Sequence, residues 1–196
     1  MNKTADALSR LRQQVEESTK VKNDFFAKNA EEIVRVASVM GECMRSGGKV
    51  LICGNGGSAS DAQHFSGELV GRFLKERRPL PAIALSTDTA ILTAVGNDYG
   101  YDQIFSRSVE ALGRSGDLLF AISTSGNSPN VIKAVEAAKK QGMRVIGMSG
   151  GAGGKLATAS DHFLNVELGK NSARIQEVHI MIIHLLVDLM DEFFNA

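Results

Sequence analysis

Residues 117–129, which read DLLFAISTSGNSP, place an apolar run directly before a loop of hydroxyl-bearing residues. The run from Asp117 to Ile122 predicts a buried strand, and the amphipathic stretch from Val131 to Lys140 predicts a helix. Ser128 is a favourable N-cap, and Pro129 suits the first helical turn, where its missing N–H costs nothing. The stretch therefore predicts a strand, a tight loop and a helix in succession.

The loop of this unit is also a candidate anion site. Its hydroxyl groups belong to Ser123, Thr124, Ser125 and Ser128, and they converge with free backbone N–H groups on a helix N-terminus. That end of a helix carries partial positive charge and unsatisfied donors, so it suits a phosphate monoester. Because the loop contains no lysine, hydroxyl and amide groups would hold the phosphate. A capped turn is the alternative interpretation, but a single serine would be enough for it.

Apolar strand candidates and helix candidates alternate over most of the chain. The strands are predicted at Val50 to Cys53, Ala82 to Leu85, Leu118 to Ile122, Val145 to Met148 and His162 to Val166, and the helices between them at about 58–75, 88–96, 101–113, 129–141 and 153–159. Two helices are predicted before the first strand, at 3–27 and 30–46, and a long one at 172–194. This order predicts an α/β three-layer sandwich, with a five-stranded parallel sheet between helices in a flavodoxin-like arrangement.

The length of 196 residues suits one domain, in which 1–47 form a helical extension and 48–196 form the α/β core with the last helix. The part of the last helix from Ile180 to Val187 is apolar almost all round, which predicts contact with another subunit as well as with its own sheet.

The balance of charge excludes broad classes of partner. The 22 basic and 22 acidic residues leave no net field to attract nucleic acid or an anionic membrane. No apolar run approaches the ~20 residues of a membrane span, and the N-terminus lacks the apolar stretch of a signal peptide. Cys43 and Cys53 form neither a disulfide framework nor a metal-binding CxxC, so we expect small buried side chains and a cytoplasmic location.

Two glycine-rich turns suggest nucleotide-binding motifs that their contexts argue against. Residues 54–59, GNGGSA, match the dinucleotide fingerprint, but Asp88 comes too late to supply the acidic residue at the end of the second strand. These glycines are better explained as letting a ligand approach the backbone closely. Residues 149–156 resemble a P-loop but begin with Ser149 where glycine is needed, and Leu156 follows the lysine, so we interpret them as a flexible turn.

A group of His, Glu and Gln residues predicts metal binding or acid–base chemistry. His64 and Glu68 are four residues apart on a predicted helix and therefore share one face. On the last helix, both Gln176 and Glu177 can project to the same side as His184, and spacing alone does not choose between them. A histidine satisfied in the core is the competing interpretation of His184.

The chain resembles the sugar isomerase (SIS) domain family over essentially its whole length. The resemblance rests on residues 53–58 (CGNGGS), 61–65 (DAQHF), 96–98 (GND), 122–128 (ISTSGNS) and 173–177 (ARIQE), in that order. It implies an aldose–ketose isomerase that acts through an enediolate on the phosphorylated seven-carbon sugar sedoheptulose 7-phosphate. It also implies a homotetramer with active sites at subunit interfaces.

The same resemblance implies a role for each site residue. It implies one zinc ion per subunit, held by His64, Glu68, Gln176 and His184, and thereby selects Gln176 over Glu177. It implies that Glu68 and His184 are the catalytic pair. It places the phosphate and the sugar of the substrate on Ser123, Thr124, Ser125, Ser128, Asn55, Gly56, Gly57, Glu68, Asn97, Asp98 and Gln176.

Two questions stay open at the level of sequence. Zinc could act as a Lewis acid on the substrate oxygens or could mainly organise the site. The alternative function is that of a non-enzymatic SIS tetramer that binds the replication initiator DnaA. That branch lacks a glutamate at the position of Glu68, so the presence of Glu68 favours the enzyme.

Overall fold

The computed structural model describes residues 3–195 and has a five-stranded, all-parallel sheet at its centre. The strands are β1 (Val50–Cys53), β2 (Ala82–Ala84), β3 (Leu118–Ile122), β4 (Arg144–Gly150) and β5 (His162–Val166). Their order across the sheet is β2-β1-β3-β4-β5. The register pairs Ile52 with Ala84 on one side and with Phe120 on the other.

Seven α-helices surround the sheet in the described part of the chain. They are α1 (Lys3–Arg45), α2 (Gly57–Val70), α3 (Thr89–Tyr99), α4 (Ile104–Leu112), α5 (Pro129–Lys140), α6 (Gly154–Ala159) and α7 (Ser172–Phe194), with a 3-10 turn at Tyr101–Gln103. Among residues 3–195, no helix is both long and apolar enough to cross a membrane.

The helices form two layers because successive strand residues face opposite sides of the sheet. Val50 and Ile52 belong to a core cluster with α1, α2 and α7, whereas Leu51 and Cys53 belong to a second cluster with α4, α5 and α6. The predicted three-layer α/β sandwich is therefore confirmed.

The two helices predicted before the first strand are instead one continuous helix, α1. The polar stretch around Asn29 contains no glycine or proline that would end a helix. Asn29 Nδ2 also donates to the carbonyl oxygen of Phe25 at 2.9 Å, along the helix axis. The second half of α1 joins the core through Ile33, Val36 and Met40.

Other boundaries also differ from the sequence prediction: β4 runs from Arg144 to Gly150 rather than from Val145 to Met148, and α3 ends at Tyr99 rather than at about 96. The helix predicted at 58–75 ends at Val70, and residues 71–80 form an irregular segment. The helix predicted at 101–113 begins as the 3-10 turn before α4 starts at Ile104. The expectation that both cysteine side chains are buried is confirmed, and Cys43 and Cys53 are both free thiols. Burial raises the pKa of the Cys53 thiol to about 12.

Candidate active site

The candidate site lies where the strand order reverses. β1 and β3 are adjacent in the sheet, with β2 on the far side of β1 and with β4 and β5 on the far side of β3. The chain therefore leaves β1 in one direction and β3 in the opposite direction, and the loops after these two strands diverge. Ligands of open parallel sheets bind outside the carboxyl ends of the strands at such a switch point. The loop after β1 contains Asn55 and Gly56, and the loop after β3 is the Ser-rich loop, residues 123–128.

The hydroxyl groups of the Ser-rich loop face one another. Ser123 Oγ lies 3.0 Å from Ser128 Oγ and 3.5 Å from Ser125 Oγ, and Thr124 is half-buried beside them. Ser128 occupies the N-cap position of α5, yet its side chain makes no capping hydrogen bond. The prediction that Ser128 is the N-cap residue is therefore confirmed, but its hydroxyl turns toward Ser123 instead of bonding to the first turn of the helix. This arrangement keeps the hydroxyls together at the positive end of a helix, as phosphate binding requires.

Two glycines close the back of the Ser-rich loop. Gly126 has a φ of +65°, and a Cβ atom there would lie 1.8 Å from the carbonyl oxygen of Gly153. Asn127 Oδ1 accepts a hydrogen bond from the amide of Lys155 at 3.0 Å. The glycine-rich turn at 149–156 therefore acts as a wall against which the Ser-rich loop packs.

A reciprocal amide pair joins the loops after β1 and β3. Asn55 Nδ2 donates to Asn130 Oδ1 at 2.8 Å, and Asn130 Nδ2 donates back to Asn55 Oδ1 at 2.9 Å. The hydroxyl of Tyr101 donates to the same Asn55 oxygen at 3.1 Å. Sequence reasoning identified Asn55 but missed Asn130 and Tyr101. An available signal was that Asn55 and Asn130 each come after a predicted strand of a parallel sheet, so both were expected at the carboxyl ends of the strands.

The His–Glu cluster consists of His64, Glu68 and His184. The Nε2 atoms of His64 and His184 lie 3.0 Å apart, and His64 Nε2 lies 3.5 Å from Glu68 Oε1. The side chain of His64 is 41% exposed and that of Glu68 is 25% exposed, so both are open to a ligand. The structure thus brings together three of the predicted catalytic and metal-binding residues.

His184 is half-buried on the wall of an open apolar groove. The ring of Phe73 stacks on it, with centroids 5.4 Å apart and planes 24° apart. The groove has a volume of about 580 Å³ and is also lined by Leu74, Ile180, Met181 and Leu185. The sequence did not indicate that Phe73 contacts the site, because the helix predicted at 58–75 includes this residue.

The core histidine of α7 is His179, five residues before His184. It is fully buried, and its Nε2 lies 3.1 Å from the carbonyl oxygen of Ser149. Burial lowers the pKa of the His179 imidazole to about 4. His184 is only half-buried and lies beside His64. Its position therefore favours a role in metal binding or acid–base chemistry over that of a histidine satisfied in the core.

Gln176 lies against the start of α2. A Cβ atom on Gly57 would fall 2.3 Å from Gln176 Nε2, so the carboxamide rests on the glycine backbone. Since Gly57 meets Gln176 and His64 meets His184, α2 and α7 run parallel. Gln176 and His184 are separated by about 12 Å along the axis of α7. The role of Gln176 as a fourth metal ligand stays a prediction.

The alternative residue Glu177 has other partners. Its Oε1 accepts a hydrogen bond from Arg174 Nη1, and Arg174 also donates to Gln14 of α1. Burial acts to raise the pKa of Glu177, but hydrogen bonds from Arg174 and Ser18 hold it below its usual value. Glu177 therefore contributes to the contact between α1 and α7, and it also lines the groove beside His184.

Asn97 and Asp98 lie on the exposed end of α3. Asn97 Nδ2 donates to Asp98 Oδ1 at 2.7 Å, so these two side chains pair with each other. Within residues 3–195, neither forms a hydrogen bond to another predicted site residue. Their role toward the sugar stays a prediction.

The His–Glu cluster fits a zinc donor set in part. Two ligand nitrogens at 2.0–2.1 Å from a tetrahedral zinc ion would be about 3.3 Å apart, close to the observed separation of the two Nε2 atoms. Imidazole and carboxylate groups are ordinary zinc ligands. Among the described residues, no three His, Cys, Asp or Glu side chains converge as a complete metal centre. Of the four predicted zinc ligands, the structure brings His64, His184 and Glu68 together.

The chain belongs to the SIS domain family, which matches residues 13–150. A phosphoheptose isomerase from Neisseria meningitidis serogroup A is 52% identical over 178 residues, covering 89% of this chain and 90% of that protein. The structure of a phosphoheptose isomerase from Neisseria gonorrhoeae superposes with a TM-score of 0.89 at 47% identity, over 95% of this chain and 99% of that one. A phosphoheptose isomerase from Francisella tularensis has a TM-score of 0.91 at 44% identity, over 95% and 98%.

Proposed function

We propose that this chain is a phosphoheptose isomerase, which interconverts sedoheptulose 7-phosphate and D-glycero-D-manno-heptose 7-phosphate through an enediolate. The observation that carries the proposal is the combination of the His–Glu cluster with the Ser-rich loop on one α/β scaffold. The chain aligns with phosphoheptose isomerases over 90–99% of their length at 47–52% identity, and this similarity supports the same activity.

The Ser-rich loop is the proposed phosphate anchor. At the start of α5, the hydroxyl of Ser123 lies 3.0 Å from that of Ser128 and 3.5 Å from that of Ser125. Binding energy from a phosphate far from the reacting carbons fixes C1 and C2 over the catalytic groups. Asn55, Gly56, Gly57, Asn97, Asp98 and Gln176 are the proposed sugar contacts. Because the side chain of Asn55 is hydrogen-bonded to Asn130 and Tyr101, we assign the contact of Asn55 with the substrate chiefly to its backbone N–H.

Aldose–ketose isomerisation requires a proton to leave one carbon and return to its neighbour. Glu68 is the proposed base, which takes the proton from C1 of the ketose or C2 of the aldose and returns it to the other carbon. His184 is the proposed group that moves protons between the two substrate oxygens. The negative charge that develops on these oxygens needs fixed positive charge or donors nearby.

Zinc is the proposed cofactor, held by His64, Glu68, Gln176 and His184. A bound zinc ion would supply a Lewis acid for the oxygens of the enediolate or fix the orientation of the four side chains. The distance between the two imidazole nitrogens supports this proposal.

A homotetramer is the proposed assembly. The groove beside His184 exposes part of Ile180, Met181 and Leu185, and the first half of α1 exposes Leu8 by 52%, Leu11 by 62% and Val15 by 66%. Apolar stripes of this kind are typical of helices that pack on another subunit. Light scattering coupled to gel filtration tests the assembly directly.

The alternative, a non-enzymatic SIS tetramer that binds the replication initiator DnaA, finds no support. Its relatives would lack a glutamate at position 68, whereas Glu68 here lies 3.5 Å from His64. The three relatives described above are phosphoheptose isomerases.

The test is an NMR assay of the purified, zinc-supplemented protein with sedoheptulose 7-phosphate. We expect the resonances of the heptose 7-phosphate to appear, and we expect no product from unphosphorylated sedoheptulose at the same concentration. A folded protein that leaves sedoheptulose 7-phosphate unchanged would overturn the proposal. Equal turnover of both sugars would overturn the role of the Ser-rich loop.

A further inference from the structure

We propose that Arg77 and Asp191 are positioning residues that hold Glu68 and His184 in their working geometry. The proposal rests on the isomerase function above. It concerns a buried ion pair between the irregular 71–80 segment and α7, and neither residue belongs to the predicted site.

The pair is enclosed within the protein. Arg77 Nε lies 2.7 Å from Asp191 Oδ1, and both side chains are 0% exposed. Asp191 Oδ2 also accepts hydrogen bonds from the backbone amides of Leu74 at 2.8 Å and Lys75 at 2.9 Å. Asp191 therefore fixes the path of a segment that has no helix or strand of its own.

The guanidinium of Arg77 extends from this pair to the end of α2. Its Nη2 donates to the carbonyl oxygen of Glu68 at 2.8 Å, and its Nη1 donates to that of Leu69 at 2.9 Å. The last carbonyls of a helix lack partners within the helix, and a cation there also complements the helix dipole. One side chain thus holds the backbone of the proposed catalytic base.

The segment fixed by Asp191 carries Phe73, whose ring stacks on His184 at 5.4 Å. Asp191 itself lies on α7, two turns beyond His184. The ion pair therefore controls both sides of the His–Glu cluster. It holds the backbone of Glu68 through Arg77, and it holds the ring that covers His184 through the amides next to Phe73.

The Lys49–Asp117 pair offers a matched control. Asp117 is 4% exposed and accepts hydrogen bonds from the amides of Lys49 and Arg114, both at 2.9 Å. It immediately precedes the amino end of β3, whereas the Ser-rich loop follows the carboxyl end of the same strand. A change at Asp117 therefore disturbs a similar buried network without touching the site.

The experiment compares Arg77→Lys, Asp191→Asn and Asp117→Asn in the zinc-supplemented full-length protein. Steady-state kinetics gives kcat and KM, and NMR of ¹³C-histidine-labelled protein at one pH gives the ring-proton shifts of His184, which the Phe73 ring displaces. For Arg77→Lys and Asp191→Asn we expect kcat to fall on the order of 10- to 100-fold, with KM changed by less than about twofold. We expect the His184 ring protons to move toward their unstacked positions, while Asp117→Asn changes neither kcat nor these shifts.

Folded Arg77→Lys and Asp191→Asn proteins with wild-type kcat and wild-type His184 shifts would overturn the proposal. An equal loss of kcat in Asp117→Asn would also overturn it, since the effect would then be general. If both variants at the pair fail to fold, Phe73→Leu replaces them, and unchanged kcat in that variant counts against the proposal. A wild-type protein without isomerase activity refutes the proposed function, while the His184 shifts still decide whether the pair holds the stack.

Discussion

The Nε2 atoms of His64 and His184 lie 3.0 Å apart although 120 residues separate the two histidines in sequence. They meet because α2 and α7 pack side by side on one face of the sheet, where Phe65 and Leu69 share a core cluster with Ile183 and Val187. The apolar faces of the two helices therefore bring the polar residues into contact. Any change that shifts one helix along the other separates the two imidazoles.

We expect Glu68→Gln to lower kcat on the order of 10²- to 10⁴-fold, because the amide cannot take a proton from carbon. The amide is nearly the same size as the carboxylate, so circular dichroism and thermal unfolding should stay close to wild type. The NMR assay with sedoheptulose 7-phosphate measures the loss. Glu31→Gln, at a side chain 90% exposed on α1, is the control and should keep full activity. A Glu68→Gln protein with wild-type turnover would remove the proposed role of Glu68.

Gly57→Ala tests the contact with Gln176. The added methyl group would lie 2.3 Å from Gln176 Nε2, so this flexible side chain must move. We expect a folded protein whose kcat/KM is lower by on the order of tenfold or more, because a shift of about 1 Å misplaces a substrate or metal contact.

The control for Gly57→Ala lies on the same helix. A Cβ atom on Gly67 would have nothing within 4 Å, so Gly67→Ala should keep activity and stabilise the protein by roughly 0.5–1 kcal/mol. Kinetics and urea unfolding of both variants give the comparison. Full activity in Gly57→Ala would show that the position of Gln176 is unimportant.

The sequence predicted those features that local patterns determine. The continuous apolar runs predicted β1 and β3 at their observed bounds, because strands buried on both faces need apolar residues throughout. The spacing of His64 and Glu68 placed them on one face of α2, where the structure has them. The end of α2 was predicted five residues too late, because the amides of residues 74 and 75 bond to Asp191, a partner more than 110 residues away. Phe73 and Tyr101 escaped notice for the same reason, since tertiary contacts alone bring them to the site.

Gly126→Ala should disrupt the Ser-rich loop. The φ of +65° disfavours any side chain, and the Cβ would lie 1.8 Å from the backbone oxygen of Gly153. We expect a loss of unfolding free energy of more than about 4 kcal/mol or failure to fold, measured by urea unfolding. Gly151 has a similar φ of +58° but open space around its Cβ position, so Gly151→Ala should cost only about 1–2 kcal/mol. Equal losses in the two variants would contradict the close packing of the loop against Gly153.

Removal of metal tests the proposed zinc site. We expect dialysis against a chelator to abolish turnover, and we expect added zinc to restore it. His64→Ala should weaken zinc binding, measured by competition with a chromophoric chelator, because it removes one of two paired imidazole donors. His162, which pairs with Glu32 at 2.9 Å, is the control, and His162→Ala should bind zinc as the wild type does. Undiminished turnover in metal-free protein would exclude a catalytic requirement for zinc.

The buried His179 should make the protein less stable in acid. Burial lowers its pKa from an ordinary 6.5 to about 4, so the unfolded chain binds a proton in this range that the folded protein does not. The corresponding stability is fully present above pH 6.5 and is lost as the pH falls toward about 4, with a slope of at most about 1.4 kcal/mol per pH unit.

His179→Gln removes this titration and keeps an N–H group for the carbonyl oxygen of Ser149. Urea unfolding at pH 4.5, 5.5, 7 and 8 measures the free energy of unfolding of both proteins. We expect the difference between wild type and variant to be constant at pH 7 and 8, and the wild type to lose more stability than the variant at pH 5.5 and 4.5. Parallel pH profiles would mean that His179 is protonated equally in the folded and unfolded states, which its burial and its single hydrogen bond to Ser149 argue against.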